Sequence, residues 1–211
     1  MGDSGFRRTQ SFTLAAGLVG WSFVGPRLPT AWRTTVQAGA AGLLVLATRA
    51  SLGLHPPRLW AGLRLGSATA AAAVSAIAAT TAVPLVRASM AEREPPGSTP
   101  GWLLLQIPVG TVWSEEAAFR AALTAAAADA FGTSGGRLLQ AASFGLSHIA
   151  DARAAGAPVV GTVLVTGLAG WLFGWLADRS GSLAAPMLAH LAINEAGAIA
   201  ALSVRRHGLI V

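Results

Sequence analysis

APVVGTVLVTGLAGWLFGWLA, residues 157–177, carries no charged side chain along its whole length. A helix needs about 20 consecutive apolar residues to span the hydrocarbon of a bilayer, and this run supplies them. The rest of the chain could not hide such a surface from water. Only 11% of residues are charged, against about 25% in a typical soluble domain. Hydrophobic residues make up 53% and the mean hydropathy is +0.56. Lipid, not water, is the solvent this composition fits.

Working outward, further apolar segments appear on both sides. SFTLAAGLVGWSFVG, residues 11–25, reads as a first segment, short for a span, which calls for snorkelling flanks or thinned lipid. A second runs from about Thr34 to Leu54, with Arg49 near its end. HPPRLWAGLR reads as a connector, because Pro56 and Pro57 break helix. A third segment covers Leu65 to Val86. RASMAEREPPGSTP, residues 87–100, is the most polar stretch and reads as a loop outside the hydrocarbon. A fourth segment starts at Gly101 and continues to about Ala130. A fifth runs from Arg137 to Ala150, too short for a comfortable span. The opening run is the sixth, and Ser182 to Val204 is the seventh. Gly170 and Gly174 in the sixth have the spacing that lets helix backbones approach closely.

The expected fold is an all-α polytopic bundle of about seven to eight membrane helices. It forms one integral membrane domain over residues 1–211. Residues 1–100 supply the N-terminal helices and the loop, and residues 101–197 the catalytic core.

The net charge of +6 comes entirely from arginines, which sit singly or in pairs between apolar segments. They form no continuous basic face, so nucleic acid is not the expected partner. Cysteine is absent, which excludes disulfides and thiolate chemistry. Trp21, Trp32, Trp60 and Trp102 lie near segment ends, where interfacial anchors belong. Arg7 and Arg8 before the first segment resemble a signal peptide. The many apolar segments that follow favour a retained helix. Arginine pairs at both ends place both termini on the cytoplasmic side, which needs an even number of crossings. One of the seven segments is then re-entrant, or one long segment crosses twice.

Ionisable groups inside apolar segments are costly and mark sites. Three groups stand out. In SEEAAFRAAL, Glu116 and Arg120 are four residues apart and share a helix face. Their pairing offsets part of the cost of burial. Glu115 lies around the helix without that partner and can serve as a general base. In SFGLSHIA, Phe144 can pack beside the His148 imidazole, which can help deprotonate a water. In HLAINEAG, His190 and Asn194 project from one face, and two converging donors can stabilise an oxyanion. A base, a water partner and an oxyanion site are the parts of a hydrolase acting on an amide carbonyl. Read plainly, the same residues can also be a membrane-edge ion pair, a packed histidine and an interhelical hydrogen bond. Glu115, His148 and His190 can alternatively ligate zinc with an open position, although no H-E-x-x-H helix is present.

EEAAFR at 115–120, FGLSH at 144–148 and HLAIN at 190–194 together resemble the marks of the CPBP intramembrane proteases. That family includes the type II CAAX prenyl endopeptidases and the Abi proteins linked to bacteriocin processing and self-immunity. Its pattern is E-E-x-x-x-R, F-x-x-x-H and H-x-x-x-N on successive membrane helices. Residues 170–194 are similar to the family's run into its last motif, and the resemblance covers residues 101 to 197. It implies an intramembrane endopeptidase of a bacterial plasma membrane. Glu115 matches the water-activating glutamate, assisted by His148. Glu116 and Arg120 match the supporting pair, Phe144 the positioning aromatic, and His190 and Asn194 the oxyanion hole. The family has been described both as metal-dependent and as metal-free, and the metal-free form needs no cofactor. The partners it implies are membrane lipid and a membrane-associated protein or peptide substrate. The competing class is a transporter or scaffold, and the chain shows no repeated halves of the kind transporters carry.

Overall fold

In lipid a backbone must satisfy its own hydrogen bonds, and the apolar runs accordingly become helices. The computed structural model describes residues 2–92 and 97–208. Among them are α1 (Gly2–Val24), α2 (Thr30–Thr48), α3 (Arg58–Thr81), α4 (Pro84–Ala91) and a single turn, α5 (Thr99–Gly101). Two π-helical stretches follow, Trp102–Trp113 and Glu116–Leu123, and run directly into α6 (Thr124–Ser147). Then come α7 (Ile149–Ala154), α8 (Val159–Ser180) and α9 (Ala184–Gly208). No strand occurs among the described residues.

Three of these helices are long and apolar enough to cross a membrane: Arg58–Thr81, Val159–Ser180 and Ala184–Arg206. The chain is an all-α, multi-pass membrane protein. Large apolar side chains cover the outside, as at Leu104, Val160, Leu164, Val165 and Leu168, all more than half exposed. This is the surface that lipid solvates.

Several boundaries differ from those read off the sequence. Helix α1 begins well before Ser11 and takes in Arg7 and Arg8, so the helix is longer than its apolar run. Helix α2 stops at Thr48, and Arg49 is its left-handed C-cap at φ 52°, outside the helix it was expected to end. The supposed connector is half helix, because α3 starts at Arg58 directly after Pro57. Proline disrupts a helix interior but is tolerated at the start, where its missing N–H is not needed. The same rule ends the third segment early: α3 stops at Thr81, and Pro84 opens α4. Part of the polar 87–100 stretch is thus helical, and its residues 93–96 lie outside the described residues.

The fourth and fifth segments form one hairpin. Gly132 breaks α6 with φ 73° and ψ 171°, a backbone conformation that favours glycine. The chain then doubles back so closely that a Cβ on Gly136 would meet the Ala128 backbone nitrogen at 2.8 Å. The return arm carries Phe144 to within 5.2 Å of the Phe119 ring on the outgoing arm. Pro108 lies inside the first π-helical stretch, where the wider turn absorbs its missing donor.

Glycines set the helix spacing around this hairpin. Gly170 faces the Phe144 ring and Gly174 faces Gln140 and Arg137, so the spaced glycines of α8 pack against α6. A second pair, Gly62 and Gly66, does the same for α3 against α9. Helix α1 is tied to α6 by the fully buried Ser11, whose hydroxyl donates to the Ala126 carbonyl at 3.0 Å.

A Cβ at Gly66 would lie 2.9 Å from both the Cα and the carbonyl oxygen of Ala185, and backbone cannot yield as a side chain can. Gly66→Val should therefore destabilise the protein by about 1–3 kcal/mol. Gly39→Ala meets nothing within 4 Å and should stabilise the helix by about 0.5–1 kcal/mol. Thermal unfolding in detergent compares them, and equal midpoints for the two variants would contradict this packing.

Candidate active site

Glu116 is fully buried, and a lone carboxylate there would be costly. Two groups from different directions compensate it. Arg120, one turn on in the same π-helical stretch, places Nε 3.3 Å from Oε2. That is close enough for an ion pair, although the two groups are not aligned for a hydrogen bond. His190, carried in by α9, donates Nδ1–H to Oε1 at 2.7 Å. A carboxylate only accepts, so this contact fixes which ring nitrogen carries the proton.

The guanidinium of Arg120 is buried, and its nitrogens find no hydrogen-bond acceptor. Aromatic faces take their place. Its carbon lies 3.8 Å from the centre of the Phe144 ring, 5.1 Å from Phe173 and 5.9 Å from Phe119. Rings from three elements thus hold a desolvated cation through their negative faces. Phe173 also stacks on His190 at 5.0 Å, and Phe144 meets the same imidazole edge-on at 6.4 Å.

With Nδ1 occupied by Glu116, the Nε2 atom of His190 is the one left to face outward. It points at Glu115, with Oε2 at 3.8 Å. His148 ends the return arm of the hairpin. Its Nδ1–H donates to the Phe144 carbonyl at 2.8 Å, and its ring lies 4.6 Å from that of Phe144. A carbonyl accepts only, so Nε2 of His148 is left to receive a hydrogen bond.

A cavity of about 640 Å³ opens beside the cluster and is lined by both Glu115 and His148. Helices α1 and α2 supply most of its apolar wall, through residues such as Leu14, Leu18, Trp21 and Leu44. Ser114, Ser147 and Asp151 join Glu115 and His148 in its polar part. Glu115 both lines the cavity and lies beside His190. His190 and Asn194 do not line it. The half-buried Asn194 donates one amide hydrogen to the His190 carbonyl of its own helix, at 3.3 Å, leaving the other free.

The structure therefore brings Glu115 and Glu116 to His190, Arg120 to Phe144, and Glu115 and His148 to one cavity. The Asn194 amide bonds within its own helix, to the His190 carbonyl, while the His190 ring turns to Glu116. Zinc, the alternative use of Glu115, His148 and His190, needs a convergent donor set. Among the described residues no group of three or more His, Cys, Asp or Glu is arranged to hold a metal ion. The donors present do not fit that centre. Sequence reasoning missed the Glu116–His190 bond and the part played by Phe173 and Phe119. Phe119 lies inside the first motif and Phe173 inside the 170–194 run, but an unpatterned phenylalanine in an apolar helix carries no signal of its own.

A family model described as Rce1-like, type II CAAX prenyl endopeptidase Rce1-like, matches residues 97–196. No curated protein and no solved structure matches the chain.

Removing the guanidinium leaves Glu116 with His190 alone and opens a void between three phenylalanines. Arg120→Ala should destabilise the fold by about 3–5 kcal/mol, the usual result of breaking a buried pair from one side. A variant with wild-type yield and wild-type thermal midpoint in detergent would refute this account of the pair.

Proposed function

We propose that the buried Glu–His cluster, in the stretch 97–196 that the type II CAAX prenyl endopeptidase family model matches, hydrolyses a peptide bond of a membrane-associated protein or peptide. The chain is a membrane-embedded peptidase of that family. The roles assigned below are our reading of its residues. The observation that carries it is the position of Glu115, which faces the cavity on one side and His190 at 3.8 Å on the other.

In this reading a water sits in the cavity between the Glu115 carboxylate and Nε2 of His148. Glu115 takes a proton from it as general base. The oxygen adds to the substrate carbonyl carbon, and the carbonyl π pair moves to oxygen. His190, as imidazolium, keeps Nδ1–H on Glu116 and offers Nε2–H to that oxyanion. Asn194 offers its remaining amide hydrogen once the side chain turns toward the same point. Preorganised donors of this kind do most of their work in a low-dielectric site. As the intermediate collapses the C–N bond breaks, and Glu115 returns its proton to the leaving nitrogen. Glu116, Arg120 and the phenylalanines touch no reacting atom and hold His190 in place. No step is routed through a metal.

The finer architecture belongs to the same reading. About seven to eight helices enter the membrane, residues 101–197 carry the chemistry, and residues 1–100 supply the wall of the cavity. The partners are lipid and a membrane peptide, and the apolar faces of α1 and α2 in the cavity support that substrate class.

The test is hydrolysis of synthetic membrane peptides by purified protein in proteoliposomes, read by mass spectrometry. Glu115→Gln should lower turnover by about 10²–10⁴-fold with the fold intact. His190→Ala should lower it by about 10²–10³-fold. Turnover unchanged in Glu115→Gln would overturn the mechanism, and no hydrolysis by the wild type would favour a transport or scaffold role. A chelator-treated sample decides the metal question. Zinc lost together with activity and restored with it by added zinc would overturn the metal-free mechanism.

A further inference from the structure

Asp151 is left over from the mechanism. It lies in the first turn of α7, three residues after His148, and lines the same cavity as Glu115 and His148. It is exposed, and among the described residues its carboxylate has no hydrogen bond and no ion pair. The charge pattern around it is one-sided. The cavity is lined by two carboxylates and by no arginine, in a chain whose net charge is +6. Its remaining wall is mostly apolar, contributed by α1 and α2.

A ligand complementary to that wall has an apolar stretch and, next to it, a cation. Membrane peptides commonly have this form, because basic residues flank their apolar spans at the interface. We infer that the cavity receives an apolar peptide segment followed by a lysine or arginine, and that Asp151 is the specificity residue that pairs with this cation. The inference rests on the peptidase reading, which makes this cavity the substrate's. Glu115 is engaged with His190 and the water, whereas Asp151 is free to pair. Pairing there would also set the register, since a cation held at Asp151 fixes which backbone carbonyl lies beside Glu115.

The test measures binding, so that it does not depend on turnover. Two synthetic peptides share an apolar helix of about 20 leucine and alanine residues and differ only in ending with two lysines or two glutamines. Each is titrated onto the Glu115→Gln protein in neutral phosphatidylcholine nanodiscs. That background removes the other cavity carboxylate and stops hydrolysis. The lysine peptide should bind about three- to five-fold tighter at low salt, the upper end of what an exposed ion pair supplies. The preference should vanish in Glu115→Gln/Asp151→Asn. It should turn toward a glutamate-ended peptide in Glu115→Gln/Asp151→Lys. Equal binding of the lysine and glutamine peptides, binding of neither, or a lysine preference that survives Asp151→Asn would overturn the inference. The outcomes separate from those for hydrolysis. A lysine preference lost in Asp151→Asn, with no hydrolysis by the wild type, would sink the peptidase reading and leave the cation site standing. Hydrolysis without charge preference would do the reverse.

Discussion

The Glu116 carboxylate is the constraint on which the rest of the site depends. It is fully buried, so it must be compensated on every side. Arg120 supplies the counter-charge from the same helix and His190 supplies a short hydrogen bond from α9. A charge placed there therefore joins the first motif to the last, across 74 positions of sequence. Because the bond uses Nδ1 of His190, it also sets the orientation of Nε2 toward Glu115. One interaction thus performs a structural task and a positioning task, and neither can be altered without the other.

The cation brought in to balance that charge creates a second demand. A guanidinium with no hydrogen-bond acceptor is tolerated only where something else attracts it, and three phenylalanine rings do so. Those rings come from the second π-helical stretch, α6 and α8, which have to approach one another closely. Glycines make the approach possible. Gly170 would carry a Cβ only 2.9 Å from the Phe144 ring, so any larger residue there would push the ring away from Arg120. The small-residue packing of the membrane helices and the electrostatics of the site are in this way the same problem.

Between them, the buried cluster and the open cavity divide the chemistry. The side of Glu115 facing His190 lies against the buried Glu116–Arg120–His190 cluster, and the side it shares with His148 opens onto the cavity. A base needs both: a water to act on, and an environment in which fixed donors are not screened. A type II CAAX prenyl endopeptidase family model matches residues 97–196, and this partition suits the hydrolysis proposed above.

Much of this was legible in the sequence. The all-α membrane class followed from the uncharged 157–177 run and the shortage of charges, because a bilayer permits few alternatives. The Glu116–Arg120 and Phe144–His148 pairs were legible because four-residue spacing is local helix geometry. The fourth and fifth segments were separated between Ala130 and Arg137, and the structure puts the break inside that gap, at Gly132. What the sequence could not give were relations between helices. Nothing in HLAIN says that its histidine reaches Glu116, that Phe173 stacks on it, or that Asn194 bonds back to its own helix. Nor does anything near residue 62 say that its glycines meet Ser182 and Ala185. Periodicity and composition are properties of a segment and act over one or two turns. The partner across a helix interface is chosen by packing, where shape and the need to satisfy a buried charge are settled by the whole chain at once, so only the tertiary structure decided it.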